Sequence, residues 1–133
     1  MEVEYSKVLR QNDIQDRLTV PQYWMSILRP LFGKGEKEAS IRALCWLGYF
    51  WEFRCTIRGK GPYEKPVLQA PEWQRFINYV GIQEGDRLIL KAEENHERRT
   101  NYNIRAERMD AQGDWYNVPP PAPVVRGPYH FLI

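Results

Sequence analysis

Apolar and polar side chains alternate along residues 51–58, a pattern that predicts a strand with one buried and one exposed face. Gly48 separates this strand from the apolar segment 40–46, and a hairpin is the simplest arrangement of the two. The apolar face would go into a core, and the polar face would meet solvent or a partner. The residues of the polar face are Glu52, Arg54, Thr56 and Arg58.

Helical spacing follows in residues 70–81. The apolar residues Trp73, Phe76, Ile77 and Val80 lie at positions i, i+3, i+4 and i+7, which predicts one buried stripe. Pro71 suits the first helical turn and Gly81 suits a left-handed stop. A shorter helix is expected from residue 21 to residue 28, before Pro30.

Short apolar segments account for most of the remaining chain. Strands are expected at residues 6–10, 18–20 and 87–92 and around Tyr102, Ile104 and Ala106. Many short strands with few helices and frequent turns are typical of a barrel or sandwich. The pattern stops near Asp110, so we expect a domain at residues 1–109 and a proline-rich tail at 110–133. The tail ends in an apolar segment, residues 129–133, that could dock on the domain or on another chain.

Composition narrows these expectations only slightly. The chain has 133 residues, 43% of them hydrophobic, which is enough for one domain with a packed core. Its net charge of +2 does not by itself indicate a polyanion-binding protein, so the placement of charges matters more. Cys45 and Cys55 lie in apolar segments, which favours buried thiols in a reducing compartment over a disulfide. The sequence contains no apolar run of 18 residues, the length that would predict a membrane span.

A cationic, glycine-broken segment follows the predicted strand. Arg58, Lys60 and Lys65 surround Tyr63, and cations interleaved with an aromatic ring on a stiff loop suit a nucleic-acid surface. The alternative is an ordinary solvated hairpin end. Arg54 could join the contact surface, or it could lie across apolar neighbours or pair with Glu52 or Glu72. The charged segment 33–38 is expected to be a solvated linker.

Catalytic and metal-binding patterns are weak. His96 lies among carboxylates, but no second His or Cys stands at ligand spacing. The glycines at residues 59 and 61 lack the helix and the Ser or Thr of a phosphate-binding loop. We therefore expect that the protein is not an enzyme and that it has no cofactor and no metal site.

Taken in order, several short motifs resemble the plant-specific B3 DNA-binding domain, in a divergent, reproductive-meristem-like form. The similarity covers about residues 5–108. The matching residues are Lys7, Val8, Leu9, Asn12, Asp13, Ile14, Arg17, Leu18, Thr19, Val20, Pro21, Trp51, Glu52, Phe53, Arg54, Val67, Leu68, Trp73, Phe76 and the Gly-Ile-Gln-Glu-Gly-Asp sequence at 81–86.

This resemblance implies a mainly β fold, a seven-stranded open pseudo-barrel with two short α-helices, that grips the DNA major groove with two loops acting as jaws. By position, one jaw is residues 11–17 and the other is residues 54–65. Cations there would pair with phosphates, and Arg, Asn or Gln would reach base edges. The DNA-binding residues carried over are Gln11, Asn12, Gln15, Arg17, Arg54, Arg58, Gly59, Lys60, Tyr63 and Lys65.

The first jaw departs from the family pattern. It is short, and it holds Asp13 and Asp16 against a single Arg17, so its attraction to phosphate should be weak. The expected function is that of a DNA-binding module in a nuclear, plant transcriptional regulator, dominated by phosphate contacts. The alternative is a protein-interaction or self-association module on the same barrel that has lost DNA binding. Its proline-rich tail would then contact a partner or a second copy.

Overall fold

The computed structural model describes residues 4–59 and 64–120. Two short 3-10 turns, Gln22–Trp24 and Arg29–Leu31, flank the second helix. The helices and strands, in chain order, are β1 (Glu4–Val8), α1 (Gln11–Gln15), β2 (Leu18–Thr19), α2 (Met25–Leu28), β3 (Glu38–Cys45), β4 (Phe50–Arg58), β5 (Lys65–Leu68), α3 (Ala70–Val80), β6 (Arg87–Asn95), β7 (Thr100–Met109) and β8 (Trp115–Asn117).

All described strands belong to one curved sheet with the order β1-β6-β7-β3-β4-β5-β2, and β8 pairs with the end of β7. Every pairing is antiparallel except that of β3 with β7, where Ala43 lies opposite Tyr102. The predicted hairpin is confirmed, with Ile41 opposite Phe53. The mainly β, open pseudo-barrel fold is also confirmed. The described strands number eight rather than seven.

The barrel is open between β1 and β2, the two ends of the sheet. Side chains bridge this gap in place of a backbone ladder. Lys7 Nζ donates to the Thr19 carbonyl oxygen at 2.5 Å, and the Tyr23 hydroxyl donates to the Ser6 carbonyl oxygen at 2.9 Å. β1 is therefore held beside β2, which fixes both ends of the segment between them, the first part of the site described below.

The core lies between the inner face of the sheet and α3. Trp51, Phe53 and Ile57 are buried on one face of β4, as the alternation predicted. On α3, Trp73 and Phe76 are fully buried, and the Phe76 ring packs edge-on against Trp51 and Phe53 with centroids 5.3 Å away in both cases. Aromatic pairs of this geometry add to the free energy of burial alone. The predicted helix and its stop at Gly81, where φ is 83°, are confirmed.

Asp86 ties the turn after α3 to two other parts of the chain. It is buried, and its carboxylate accepts hydrogen bonds from the Gln83 backbone N–H at 2.8 Å and from the Arg108 guanidinium at 2.9 Å. Its carbonyl oxygen accepts from the Leu9 N–H at 2.8 Å. Gly85, at φ 92°, makes the turn possible. The Gly-Asp pair is therefore structural.

Several elements differ from the sequence prediction. The connection at residues 11–17 contains α1, and the expected helix at residues 21–28 is divided into a 3-10 turn and the single turn of α2. β6 continues to Asn95, three residues beyond the end of the strand expected at residues 87–92. Tertiary contacts outweigh local propensity in such short segments.

Packed structure continues beyond the boundary expected at residue 109. β8 pairs with β7, and Val118 is buried. The Val118 N–H donates to the Ala106 carbonyl oxygen at 2.9 Å, and the Val118 carbonyl oxygen accepts from Trp46 Nε1 at 3.0 Å. Residues up to Val118 are thus joined to the barrel, while residues 121–133 lie outside the described part of the chain.

Both cysteines, Cys45 and Cys55, are free thiols in the core. Burial raises the pKa of the Cys55 thiol to about 12. Within residues 4–59 and 64–120, no helix is long and apolar enough to cross a membrane.

Candidate nucleic-acid interface

The first candidate segment, residues 10–17, is built around a buried carboxylate. Asp13 is only 4% exposed. Its Oδ2 accepts from the Arg10 N–H at 2.9 Å, which begins α1, and its Oδ1 accepts from Lys7 Nζ at 3.0 Å. The negative charge of Asp13 is therefore turned inward and neutralised by Lys7. Only Asp16 remains as an exposed acid in this segment.

Helix α3 holds the same segment from the core side. Trp73 Nε1 donates to the Asp13 carbonyl oxygen at 2.7 Å. Gln74 Nε2 donates to the carbonyl oxygens of Ile14 and Asp16, at 2.9 and 2.5 Å. These bonds satisfy carbonyls at the end of a five-residue helix that could not persist alone. The predicted contact residues are then presented outward: Gln11, Asn12 and Gln15 are exposed, and Arg17 is partly buried.

The second candidate segment follows β4. Arg58 lies directly opposite Lys65 in the β4–β5 ladder, and both side chains are exposed. Arg54 lies on the same outer face of β4, 51% exposed, with its Nε 3.5 Å from Glu38 Oε1. Its partner is thus Glu38 on the neighbouring strand β3, and the expected pairing with Glu52 or Glu72 is wrong. Gly59 has φ 83°, a left-handed conformation that favours glycine. Lys60 and Tyr63 lie outside the described residues.

The rung formed by Arg58 and Lys65 is electrostatically unfavourable. Like charges directly opposite each other on a sheet destabilise it. Neither cation forms an ion pair with any other residue that the structure describes. A cross-strand pair that breaks this local rule is typical of a functional surface. An anion placed between the two side chains would relieve the repulsion.

The structure brings three further cations to this end of the sheet. Arg29, Lys34 and Lys37 line an open pocket of about 330 Å³ together with Glu36 and Glu64. Arg29 Nη2 is 2.5 Å from Glu64 Oε1, and Lys37 Nζ is 3.2 Å from Glu64 Oε2. Residues 33–38 are exposed, as expected for a solvated linker, but Lys37 also forms an ion pair with Glu64 that the sequence did not indicate. No local pattern indicates Arg29, because its neighbour Glu64 is 35 residues away in the chain.

The charge of Glu64 is stabilised by these neighbours. The hydrogen bond from Arg29, followed by that from Lys37, lowers the pKa of the Glu64 carboxyl below its usual value. The same contact raises the pKa of the Arg29 guanidinium. Glu64 is therefore ionised at neutral pH and offsets part of the positive charge near Arg58 and Lys65.

The two candidate segments join the sheet at positions that are offset along the strand direction. β2 starts with Leu18 opposite Leu68, whereas the Arg58–Lys65 rung lies three residues earlier along β5. At about 3.3 Å per residue, the two positions are roughly 10 Å apart along the strands. The major groove of B-DNA is about 12 Å wide. This offset along the strand direction does not exceed the width of the groove.

His96 makes only a long ionic contact in its acidic loop. His96 Nε2 lies 3.6 Å from Glu94 Oε2, and both side chains are largely exposed. In the parts of the chain that the structure describes, no group of three or more His, Cys, Asp or Glu residues could hold a metal ion.

Comparison with solved structures identifies the fold. No protein-family model matches the chain, and no curated protein matches it. The structure is similar to the Arabidopsis FUS3–DNA complex, with a TM-score of 0.60 and 24% identity over 77% of this chain and 93% of that chain. It is also similar to a hypothetical Arabidopsis thaliana protein, with a TM-score of 0.54 and 16% identity over 81% of this chain and 92% of that one. The B3-type fold implied by the sequence resemblance is confirmed.

Proposed function

We propose that this protein is a non-enzymatic DNA-binding module, that it belongs to a plant transcriptional regulator acting in the nucleus, and that phosphate contacts dominate its binding. The observation that carries the proposal is the Arg58–Lys65 rung, where two exposed cations face each other without a partner among the described residues. A phosphate group between them would convert a repulsion into two favourable contacts and release counterions.

The similarity to a protein solved in complex with DNA supports the same function. At 24% identity this similarity establishes the fold, and DNA binding by this chain rests on its own residues. Those residues divide into two groups. Arg58, Lys65 and the sequence neighbour Lys60 supply charge for the backbone, while Gln11, Asn12 and Gln15 offer amide groups that can pair with base edges.

Fluorescence anisotropy with a short duplex of mixed sequence, repeated at several salt concentrations, tests this function. Affinity should fall with salt at a log–log slope of about −0.9 for each phosphate contacted. The double variant Arg58→Gln with Lys65→Gln should flatten the slope by up to about 1.8 units. A protein that shows no salt-dependent binding at low ionic strength would not be a duplex-binding module.

A matched control removes two cations from the other end of the sheet. Arg98→Gln with Arg99→Asn causes the same change in net charge, and Asn tolerates the left-handed backbone at residue 99, where φ is 56°. Arg98 contacts the turn at Gly48, at the opposite end of β4 from Arg58 and about 25 Å away. This control should leave the slope nearly unchanged. If both double variants flatten the salt slope equally, duplex binding depends on net charge and not on a defined surface of the protein.

The rival function is self-association or protein binding by the same barrel. Two half-exposed apolar side chains near the end of the described chain favour it, Met109 on β7 and Tyr116 on β8. Light scattering of the full chain against one that ends after Pro120 tests this possibility. The cut must follow Val118, because a chain ending near Asp110 would lose part of the packed barrel. An oligomer that depends on residues 121–133 and has no DNA affinity would support the rival.

A further inference from the structure

We propose that Glu64 is a positioning residue: through a brace formed by Arg29 and Lys37, it holds residues 58–59 and 64–65 of the β4–β5 hairpin in the orientation that binds DNA. This inference rests on the proposed DNA-binding function. It assigns a role to a carboxylate which, by charge alone, should hinder that function.

The brace uses both oxygens of the carboxylate. Glu64 Oε1 accepts from Arg29 and Oε2 accepts from Lys37, so neither oxygen is left to solvent alone. The Glu64 side chain is 15% exposed, whereas those of Arg29 and Lys37 are each 52% exposed. A three-member network of this kind restrains its central residue more than an isolated surface pair would.

Lys37 contacts both sides of the hairpin. Its Nζ lies 3.2 Å from Glu64 on the returning side and 3.4 Å from the Gly59 carbonyl oxygen on the outgoing side. The backbone of Lys37 is itself fixed, because its carbonyl oxygen accepts from the Ile57 N–H at 2.8 Å. Arg29 follows Leu28, which is fully buried. Both cations are therefore anchored to the core before they reach Glu64.

Two consequences of Glu64 oppose each other. Its negative charge lies next to Lys65 in the chain and weakens attraction to phosphate. Its brace orders the hairpin before binding, so less conformational entropy is lost when DNA is bound. Removing the charge while keeping the shape reveals which effect is larger, because the two predict changes of opposite sign.

The test compares Glu64→Gln with Glu36→Gln in full-length protein. Glu36 lines the same pocket, and its side chain makes no hydrogen bond or ion pair with the residues that the structure describes, so its variant adds the same charge without breaking the brace. Affinity for a mixed-sequence duplex should fall roughly three- to tenfold in Glu64→Gln, which is the cost of ordering one or two side chains on binding. Glu36→Gln should bind as well as the parent protein or better. Equal or tighter binding by Glu64→Gln would overturn the proposal.

A second measurement does not depend on DNA. The heteronuclear ¹⁵N NOE of Gly59 and Lys65 should decrease in free Glu64→Gln and stay unchanged in free Glu36→Gln. If the parent protein binds no duplex, the proposed function fails and the NOE alone decides the brace: values equal to those of the parent at both residues would overturn it. Urea unfolding of both variants confirms that they remain folded.

Discussion

The two candidate contact segments are held in place by different kinds of interaction. Residues 10–17 are fixed mainly by buried groups, Asp13 and Trp73, with a further part-buried hydrogen bond from Gln74. Glu64, next to β5, is held by ion pairs to the partly exposed side chains of Arg29 and Lys37. Salt weakens exposed ion pairs more than it weakens buried hydrogen bonds. The first segment should therefore be part of the folded core, and the second should respond to salt and pH.

The same difference separates the roles of the two acidic residues near the proposed interface, Asp13 and Glu64. Asp13 begins α1 from a buried position, and Glu64 connects Arg29 and Lys37 to the start of β5. Neither can be judged from its charge alone. Four changes test this contrast, each directed at one side of it.

The largest effect is expected from Asp13→Ala. The variant loses the hydrogen bonds from Arg10 and Lys7 and leaves the Lys7 ammonium without its carboxylate. We expect the free energy of unfolding to fall by about 2 to 3 kcal/mol, since both lost bonds involve a charged group and Lys7 can still reach water. Urea denaturation measures this loss.

Asp16→Ala is the matched control, because Asp16 is exposed and its side chain contacts none of the described residues. Its effect on the free energy of unfolding should stay within about 0.5 kcal/mol. Similar losses in the two variants would show that the buried carboxylate has no special role.

Gln74→Ala should have the next largest effect. It removes two hydrogen bonds to the carbonyl oxygens of Ile14 and Asp16 while leaving the apolar stripe of α3 intact. The free energy of unfolding should fall by about 1 to 2 kcal/mol. Asn78→Ala, at an exposed position of the same helix, should cost nothing or stabilise slightly. If Gln74→Ala leaves stability unchanged, the segment is held by Trp73 and Lys7 alone.

Lys65→Glu tests the second segment in the opposite direction. The substitution turns the like-charge rung with Arg58 into a favourable cross-strand pair. Stability should rise by about 0.5 kcal/mol, while duplex affinity should fall because a cation is replaced by an anion. Urea denaturation and anisotropy on the same sample provide both values. A variant that is less stable than the parent would contradict the claim that the rung is strained.

The smallest effect concerns pH. Because Arg29 and Lys37 lower the pKa of Glu64 below its usual 4.5, the stabilisation from this brace is complete above pH 4.5 and is lost as pH falls through the lowered value. Carboxyl ¹³C shifts should show a Glu64 midpoint below 4.5.

Arg29→Gln should move that midpoint back toward the usual value, and Lys34→Gln should not, because Lys34 lines the same pocket without contacting Glu64. A midpoint that stays the same in Arg29→Gln would show that Arg29 does not stabilise the Glu64 carboxylate. In contrast, the bonds donated by Trp73 and Gln74 involve neutral donors and should persist through this titration.

Sequence periodicity predicted the elements that are long enough to show a clear apolar pattern in their own residues. The alternation of β4 and the stripe of α3 are confirmed residue by residue, since each extends over at least eight positions and buries large side chains. α1, the broken helix around α2 and β8 were not predicted. Each is too short to be stable alone, so its conformation depends on partners distant in the chain, such as Trp73 for α1 and β7 for β8.

The candidate site divides in the same way. The cationic character of Arg58 and Lys65 can be read from the sequence, because it follows from residue type and strand alternation. Their direct opposition, the burial of Asp13 and the bridge from Glu64 to Arg29 could not be read there. All three depend on strand register and on contacts between residues far apart in the chain.

A mainly β fold with an aromatic core and exposed cations at Arg58 and Lys65 can be predicted from the sequence, because hydrophobic periodicity and residue chemistry are local properties. The role of each charged residue depends on the tertiary structure. Whether a carboxylate repels a phosphate, begins a helix or braces a loop depends on which cation lies within about 3 Å of it. Here that cation is Lys7 for Asp13 and Arg29 for Glu64, and the fold brings each pair together.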